Sequence, residues 1–227
     1  RRTRAMVLDM AQDRNMPRIY GFNTGVGMNK DWDISREGLA AFNAMLIRSH
    51  SAAAGPDLAE DEVRATLLVR LNCLLADGTG VSWELVERYR DFLNLRFHPV
   101  IPGRGSIGEA DLVSLAHIGL AVMGEGDVTL QGERMSAREA LSKVNLEPLV
   151  LGCKEGLAIV SSNAMSAGMA ALVFDDCEKL MDAADLLYAL ALEGFGGNVS
   201  PLDEACFLLR PVPGPTETAA RVRRYLE

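Results

Sequence analysis

Aromatic side chains make up only 6% of these 227 residues, and histidine occurs three times. The four cysteines, Cys73, Cys153, Cys177 and Cys206, lie far apart and form no CxxC pair. With so few histidines beside them, metal-ligand spacing is absent, which excludes a zinc module or a dithiol redox centre. Cys73 and Cys177 stand in apolar helical runs, where a free thiol is expected to be buried as a small hydrophobe, and a reducing cytoplasm is the default location. Positive charge is also short: the net charge of −8 and pI near 5.0 leave no basic surface for nucleic acid. No uninterrupted apolar run reaches the roughly 18 residues of a membrane span. The basic start, Arg1-Arg2-Thr3-Arg4, is followed by Asp9, Asp13 and Arg14, so it does not read as a secretory signal. It opens without Met and inside a helical pattern, and is expected to be part of something longer.

What is present is an ordinary globular composition, 48% hydrophobic and 24% charged, enough for one large domain or two small ones. Helical periodicity dominates. Apolar residues recur at three- and four-residue spacing from Asp61 to Ala76, and Ser82 is placed to cap a second helix bearing Leu85, Tyr89, Phe92 and Leu93 on one face. Further helices are predicted from about Glu109 to Met123 and from about Asn163 to Leu192. The last is apolar around most of its girth, which fits a core helix or a subunit interface. A short hairpin is predicted at Asp127–Gln131 with Gly132-Glu133. Loops are expected at Tyr20–Gly27, Pro99–Gly108 and Arg210–Pro215, the last because of its prolines. The fold class is mainly α.

Four segments carry chemistry. Tyr20-Gly21-Phe22-Asn23-Thr24-Gly25-Val26-Gly27 sets a phenol beside glycines that permit positive φ and close backbone approach. A tyrosine there can serve as general acid or base, although glycine-rich turns are common. His50, closing Arg48-Ser49-His50 at a helix end, can bind a carboxylate or move a proton, or simply bond to backbone. The run Pro99 to Gly108 feeds a helix N-terminus at Glu109-Ala110-Asp111, where free N–H groups suit an anion, but read alone the two acids are first of all what ordinary capping demands. Lys154 and Glu155 precede Ser161-Ser162-Asn163. They read as a solvated pair or as the edge of a ligand pocket.

In order along the chain stand Tyr-Gly-x-Asn-Thr-Gly-x-Gly, Arg-Ser-His, Val63-Arg64-Ala65 with Arg70-Leu71-Asn72, Gly-Ser-Ile-Gly with Asp-Leu, Gly124-Glu125-Gly126, Lys-Glu-Gly-Leu-Ala and Arg210-Pro211. This series resembles the histidine and phenylalanine ammonia-lyases. The resemblance implies a helical fold with long bundle helices, a homotetramer with active sites shared among subunits, and a chain that is the N-terminal half of the usual length. Residues 1–160 would form a loop-rich active-site region and residues 161–227 the start of the central bundle. It assigns Tyr20 as base and places His50 on the substrate and cofactor side. Glu109, standing where the family's electrophile would be, is the third catalytic candidate, placed to face a cationic leaving group or else to stabilise a helix N-terminus. Asn23, Gly25, Ser161 and Asn163 are the candidates for substrate binding. Gly105, Ser106, Gly108, Ala110 and Asp111 correspond to the loop around the cofactor.

That family builds a methylidene-imidazolone electrophile from Ala-Ser-Gly at this point. Here only Glu109 and Ala110 separate the flanking motifs, Ser106 is followed by β-branched Ile107, and Ser161 stands where a supporting Asn is usual. The expectation is therefore a carbon–nitrogen lyase that needs no such ring, because its substrate already carries a good amine leaving group, as a trimethylammonium betaine does. The alternatives are a conventional histidine ammonia-lyase and a non-catalytic ligand-binding relative. The expected partners are a small amino acid or betaine and further copies of the chain, with no nucleic acid, membrane or metal. This half alone is expected to be inactive.

Overall fold

Ser82 sits in extended backbone, and its Oγ accepts the Leu85 N–H at 3.3 Å, so the helix that follows begins where its own sequence provides an acceptor. Glu62 reaches back to the Ala59 N–H at 2.7 Å and fixes the preceding helix start in the same way. The computed structural model describes residues 1–227 and is 58% helical with 9% strand, a mainly α protein. In chain order the helices are α1 (Arg2–Gln12), α2 (Leu39–His50), α3 (Glu60–Leu75), α4 (Trp83–Asn94), α5 (Leu112–Val122), α6 (Ala137–Lys143), α7 (Glu155–Val160), α8 (Ala164–Phe195), α9 (Ala205–Leu208) and α10 (Pro213–Leu226).

Five short strands accompany them: β1 (Ala54–Asp57), β2 (Phe97–Pro99), β3 (Pro102–Arg104), β4 (Asp127–Leu130) and β5 (Glu133–Ser136). β1 pairs antiparallel with β3, and β2, β4 and β5 form an antiparallel sheet in that order. The β4–β5 hairpin turns through Gln131 and Gly132, both at positive φ, which matches the twist of the flanking strands.

Residues group into two compact units, Arg1–Ala171 and Leu172–Glu227. The core of the first lies among α2, α3, α4, α5 and α7. There Ile47, Leu67, Leu85, Leu115, Ile118 and Ile159 are fully buried, each contributing about 1.5–3 kcal/mol. Phe92 and Phe97 stack at 4.2 Å, joining α4 to β2. The second unit has a small core of Ala189, Leu202, Ala219 and Val222, and Arg221 bonds Asp185 at 2.8 Å within it.

Several expectations are corrected. α5 starts at Leu112 rather than Glu109, because Gly108 takes φ +82° and the Asp111 N–H leaves the helical path to donate to Ser162 O at 2.9 Å. Pro213 and Pro215 lie inside α10 rather than in a loop. Both occupy its first turn, where a missing N–H and a fixed φ cost nothing. Cys73 and Cys177 are exposed, because the faces of α3 and α8 that carry them meet no partner within the chain. The girth of α8 is likewise uncovered over much of its length, with Phe174 69% and Leu187 65% exposed. The stretch Glu155–Phe195 includes a window of mean hydropathy 1.7, long and apolar enough by composition to cross a membrane, and 33% of it is buried. The strict apolar-run reading passed over it because Ser161-Ser162-Asn163 interrupts the run without adding charge. Those residues also separate α7 from α8.

Candidate active site

The Tyr20 turn is built by its own polar side chains. Asn23 Oδ1 accepts the Ile19 N–H at 2.7 Å, and its Nδ2 donates to Pro17 O at 3.1 Å. The Ile34 N–H donates to Asn23 O at 2.9 Å, closing the loop on the Thr24–Asp33 bridge. Gly21 and Gly27 adopt positive φ, and at Gly25 a Cβ would lie 2.9 Å from the carbonyl carbon of Asn29. The result presents Tyr20 at the surface, its hydroxyl oxygen accepting the Gly27 N–H at 2.9 Å. One lone pair of that oxygen is thus engaged and the ring is held.

His50 arrives from α2. Its Nδ1 lies 2.8 Å from Leu46 O, and a carbonyl can only accept, so Nδ1 carries the proton. In the neutral ring Nε2 is then the free acceptor. Glu109 comes from the bend before α5, where Gly105 passes so close to Ala53 and Val113 that a Cβ would meet them at 3.2 and 2.9 Å.

These separate segments converge. Tyr20, Gly25, His50, Glu109 and Ser161 line one cavity of about 690 Å³. Its apolar wall includes Trp32, Phe42, Met45, Leu157 and Val160, and its charged lining residues are Asp33 and Glu109. Asp33 is paired with Arg18 at 2.9 Å, and no Lys or Arg lines the cavity. A carboxylate with no ion-pair partner, in a cavity whose lining also holds Tyr20, Trp32 and Phe42, suits a cationic group.

Other residues singled out by sequence lie outside the lining. Asn23 is committed to its own turn, and Asn163 is exposed, its carbonyl accepting the Ala167 N–H in the first turn of α8. Ser106 Oγ accepts the Gly108 N–H at 3.2 Å. Gly105, Gly108 and Ala110 shape the bend that delivers Glu109. Glu109 precedes the N-cap of α5, so the capping reading does not apply to it. Asp111 occupies the N-cap yet sends its carboxylate to Ser166 on α8. Lys154 and Glu155 are neither a solvated pair nor part of the cavity. Glu155 is buried and accepts the Ser82 and Gly152 N–H groups at 2.7 and 2.6 Å, while Lys154 Nζ donates to Thr79 O at 2.9 Å. Burial lowers the Lys154 pKa from its ordinary value.

Sequence reasoning missed the α2 wall. Phe42, Met45, Leu46, Ser49 and His50 follow one another at helical spacing, so extending the apolar face back from His50 would have found it. Trp32 carried no sequence signal, because its place depends on the loop closing at Thr24–Asp33. No Ser-Gly dipeptide stands in the bend, and Ser106 precedes Ile107.

The family model for aromatic amino acid lyases matches residues 1–227. The chain is 38% identical over its whole length to a histidine ammonia-lyase of Bacillus subtilis, covering 44% of that protein, and 40% identical to one of Geobacillus kaustophilus over 92% of the chain and 42% of that protein. Among solved structures, the ergothioneine-degrading ergothionase of Treponema denticola matches with TM-score 0.92 and 42% identity, over 97% of this chain and 44% of that one. The tyrosine aminomutase of Streptomyces globisporus matches with TM-score 0.93 and 32% identity, over 99% of this chain and 42% of that one. The chain thus spans less than half the length of the relatives it matches. With the order of its motifs, its helical architecture and these likenesses in agreement, the chain belongs to the aromatic amino acid lyase family.

Proposed function

We propose that the protein containing this chain is a carbon–nitrogen lyase that eliminates an amine from an amino acid or betaine without a methylidene-imidazolone ring. The observation that carries this reading is the convergence of Tyr20, His50 and Glu109 on one cavity. Tyr20, as its phenolate, takes the proton from the carbon next to the one bearing nitrogen and becomes the phenol. The C–H electrons become the new C=C bond, and the C–N pair departs with the amine. A trimethylammonium group leaves as neutral trimethylamine and needs no electrophile to make it a leaving group. Glu109, with the faces of Trp32 and Phe42, holds that cationic end. His50 offers Nε2 to the side-chain end. The exposed apolar side chains of the second unit, Phe174 and Leu187 among them, support assembly into a homotetramer. The likeness to ergothionase at 42% identity favours a betaine substrate.

The test is turnover by the full-length protein of histidine, phenylalanine, tyrosine and their trimethylated betaines. Tyr20→Phe should lower the rate about 10²–10⁴-fold, the worth of a positioned general base. Unchanged rates in that variant would remove Tyr20 from the mechanism. A second reading, a conventional histidine ammonia-lyase, is favoured by the 38% identity to the Bacillus subtilis enzyme. It requires histidine turnover abolished by borohydride. A ligand-binding relative without activity would yield no product from any compound, while ligand still raised the Tm.

A further inference from the structure

Two walls of the cavity come from α2 and α7, which lie far apart in sequence, pack against each other and share one hydrogen bond. Asn43, fully buried in the middle of α2, donates from Nδ2 to Leu39 O at 2.7 Å and accepts the Gly156 N–H on Oδ1, also at 2.7 Å. Gly156 stands in the first turn of α7, where backbone N–H groups lack intrahelical acceptors. The residue before that turn, Lys154, has no side-chain acceptor to offer, so α7 is capped from a neighbouring helix. The approach is also sterically closed. A Cβ on Gly156 would lie 2.7 Å from Asn43 O and 3.1 Å from its Cα.

Within two turns of this pair the side chains reach the cavity: Leu46, Ser49 and His50 on α2, Leu157 and Val160 on α7, and Ser161 just past its end. We infer that Asn43 is a positioning residue: through the Gly156 amide it sets the separation between the wall bearing His50 and the wall bearing Ser161. Gly156 fixes how closely the helices approach, and Asn43 fixes their register. The kinetic consequence rests on the lyase reading of this cavity. The geometric one does not.

The experiment uses the full-length protein and three variants. Asn43→Leu keeps the branched shape and the number of heavy atoms and removes the acceptor. Asn43→Ser is too short to reach Gly156 and serves if leucine prevents folding. Asn43→Asp, assayed at mildly acid pH, presents a protonated carboxyl that reproduces both bonds. In the first two, amide exchange across residues 155–161 should quicken, and KM for the compound turned over should rise about tenfold or more with a smaller change in kcat, the scale of one lost buried hydrogen bond. Asn43→Asp should restore both. Faster exchange with an unmoved KM would reduce Asn43 to a stabiliser of α7, and unchanged exchange would remove the coupling altogether. If the wild type turns over nothing, the lyase reading fails by itself. The calorimetric Kd of L-histidine then replaces KM, and equal values in wild type and Asn43→Leu overturn the inference.

Discussion

The carboxylate of Asp111 accepts both hydrogen bonds that Ser166 can donate, the backbone N–H at 2.9 Å and the hydroxyl at 2.6 Å. Asp111 is 4% exposed, and its own N–H donates to Ser162 O at 2.9 Å. One side chain thereby ties the bend that delivers Glu109 to the break that delivers Ser161. Asp111→Ala removes two charge-assisted bonds to Ser166, whose donors can turn to water, so it should destabilise the fold by about 1.5–3 kcal/mol. A lower urea midpoint at unchanged slope checks it.

Gly25 and Gly27 should answer alanine differently. A Cβ at Gly25 collides with the Asn29 backbone, and the Tyr20 turn must shift to relieve it. Catalytic efficiency should fall about 10²-fold, the usual cost of an ångström-scale misplacement. Gly27 has φ +55° and nothing within 4 Å of a new Cβ, so alanine there costs about 1 kcal/mol of local strain. Its N–H still reaches Tyr20, and turnover should survive. Equal kinetic losses in the two variants would contradict this geometry.

His98 and His117 make stability fall in mild acid. Burial lowers both pKa values from the ordinary 6.5, so the unfolded chain binds protons that the folded chain refuses. Their contribution is complete above pH 6.5 and is lost as pH falls through the lowered folded values. The carboxylates of Glu60 and Glu125, lowered from 4.5 by Arg96 and Arg48 respectively, act in a separate window below that. Urea midpoints followed with pH should slope first in the histidine window, and replacing both histidines by Gln should flatten that part alone.

Tyr89 gives the alkaline counterpart. Burial pushes its pKa from 10.0 up to about 12, and its hydroxyl has no hydrogen-bond partner. Stability should hold below pH 10.0 and decline as pH rises through about 12, since the unfolded phenol ionises first. Tyr89→Phe removes a buried unpaired hydroxyl. It should be neutral or stabilising by about 1 kcal/mol at neutral pH, and should flatten the alkaline decline. A marked loss at neutral pH would mean that the hydroxyl has a partner.

Much of the fold was legible in residues whose partners are near in sequence. Ser82, the periodic faces of α3 and α4, and the Gln131-Gly132 turn act within a few positions, so their chemistry reads directly from spacing. The errors arose where the deciding partner was distant. Asp111 looks like a cap for its own helix and serves another, and Glu155 looks solvated and is buried against Ser82. The prolines of α10 misled for a local reason: breaking and starting a helix use the same residue, and only position separates them.

Sequence by itself determined the family and the helical class and singled out Tyr20, His50 and Glu109 as candidates, because ordered motifs and local backbone preferences are carried by neighbouring positions. Tertiary structure alone decided that these residues share a cavity, that Asn43 meets Gly156, and that Asn23 and Asp111 serve the scaffold. The physical reason is that hydrogen bonds and excluded volume act over a few ångströms in space, whatever the separation along the chain.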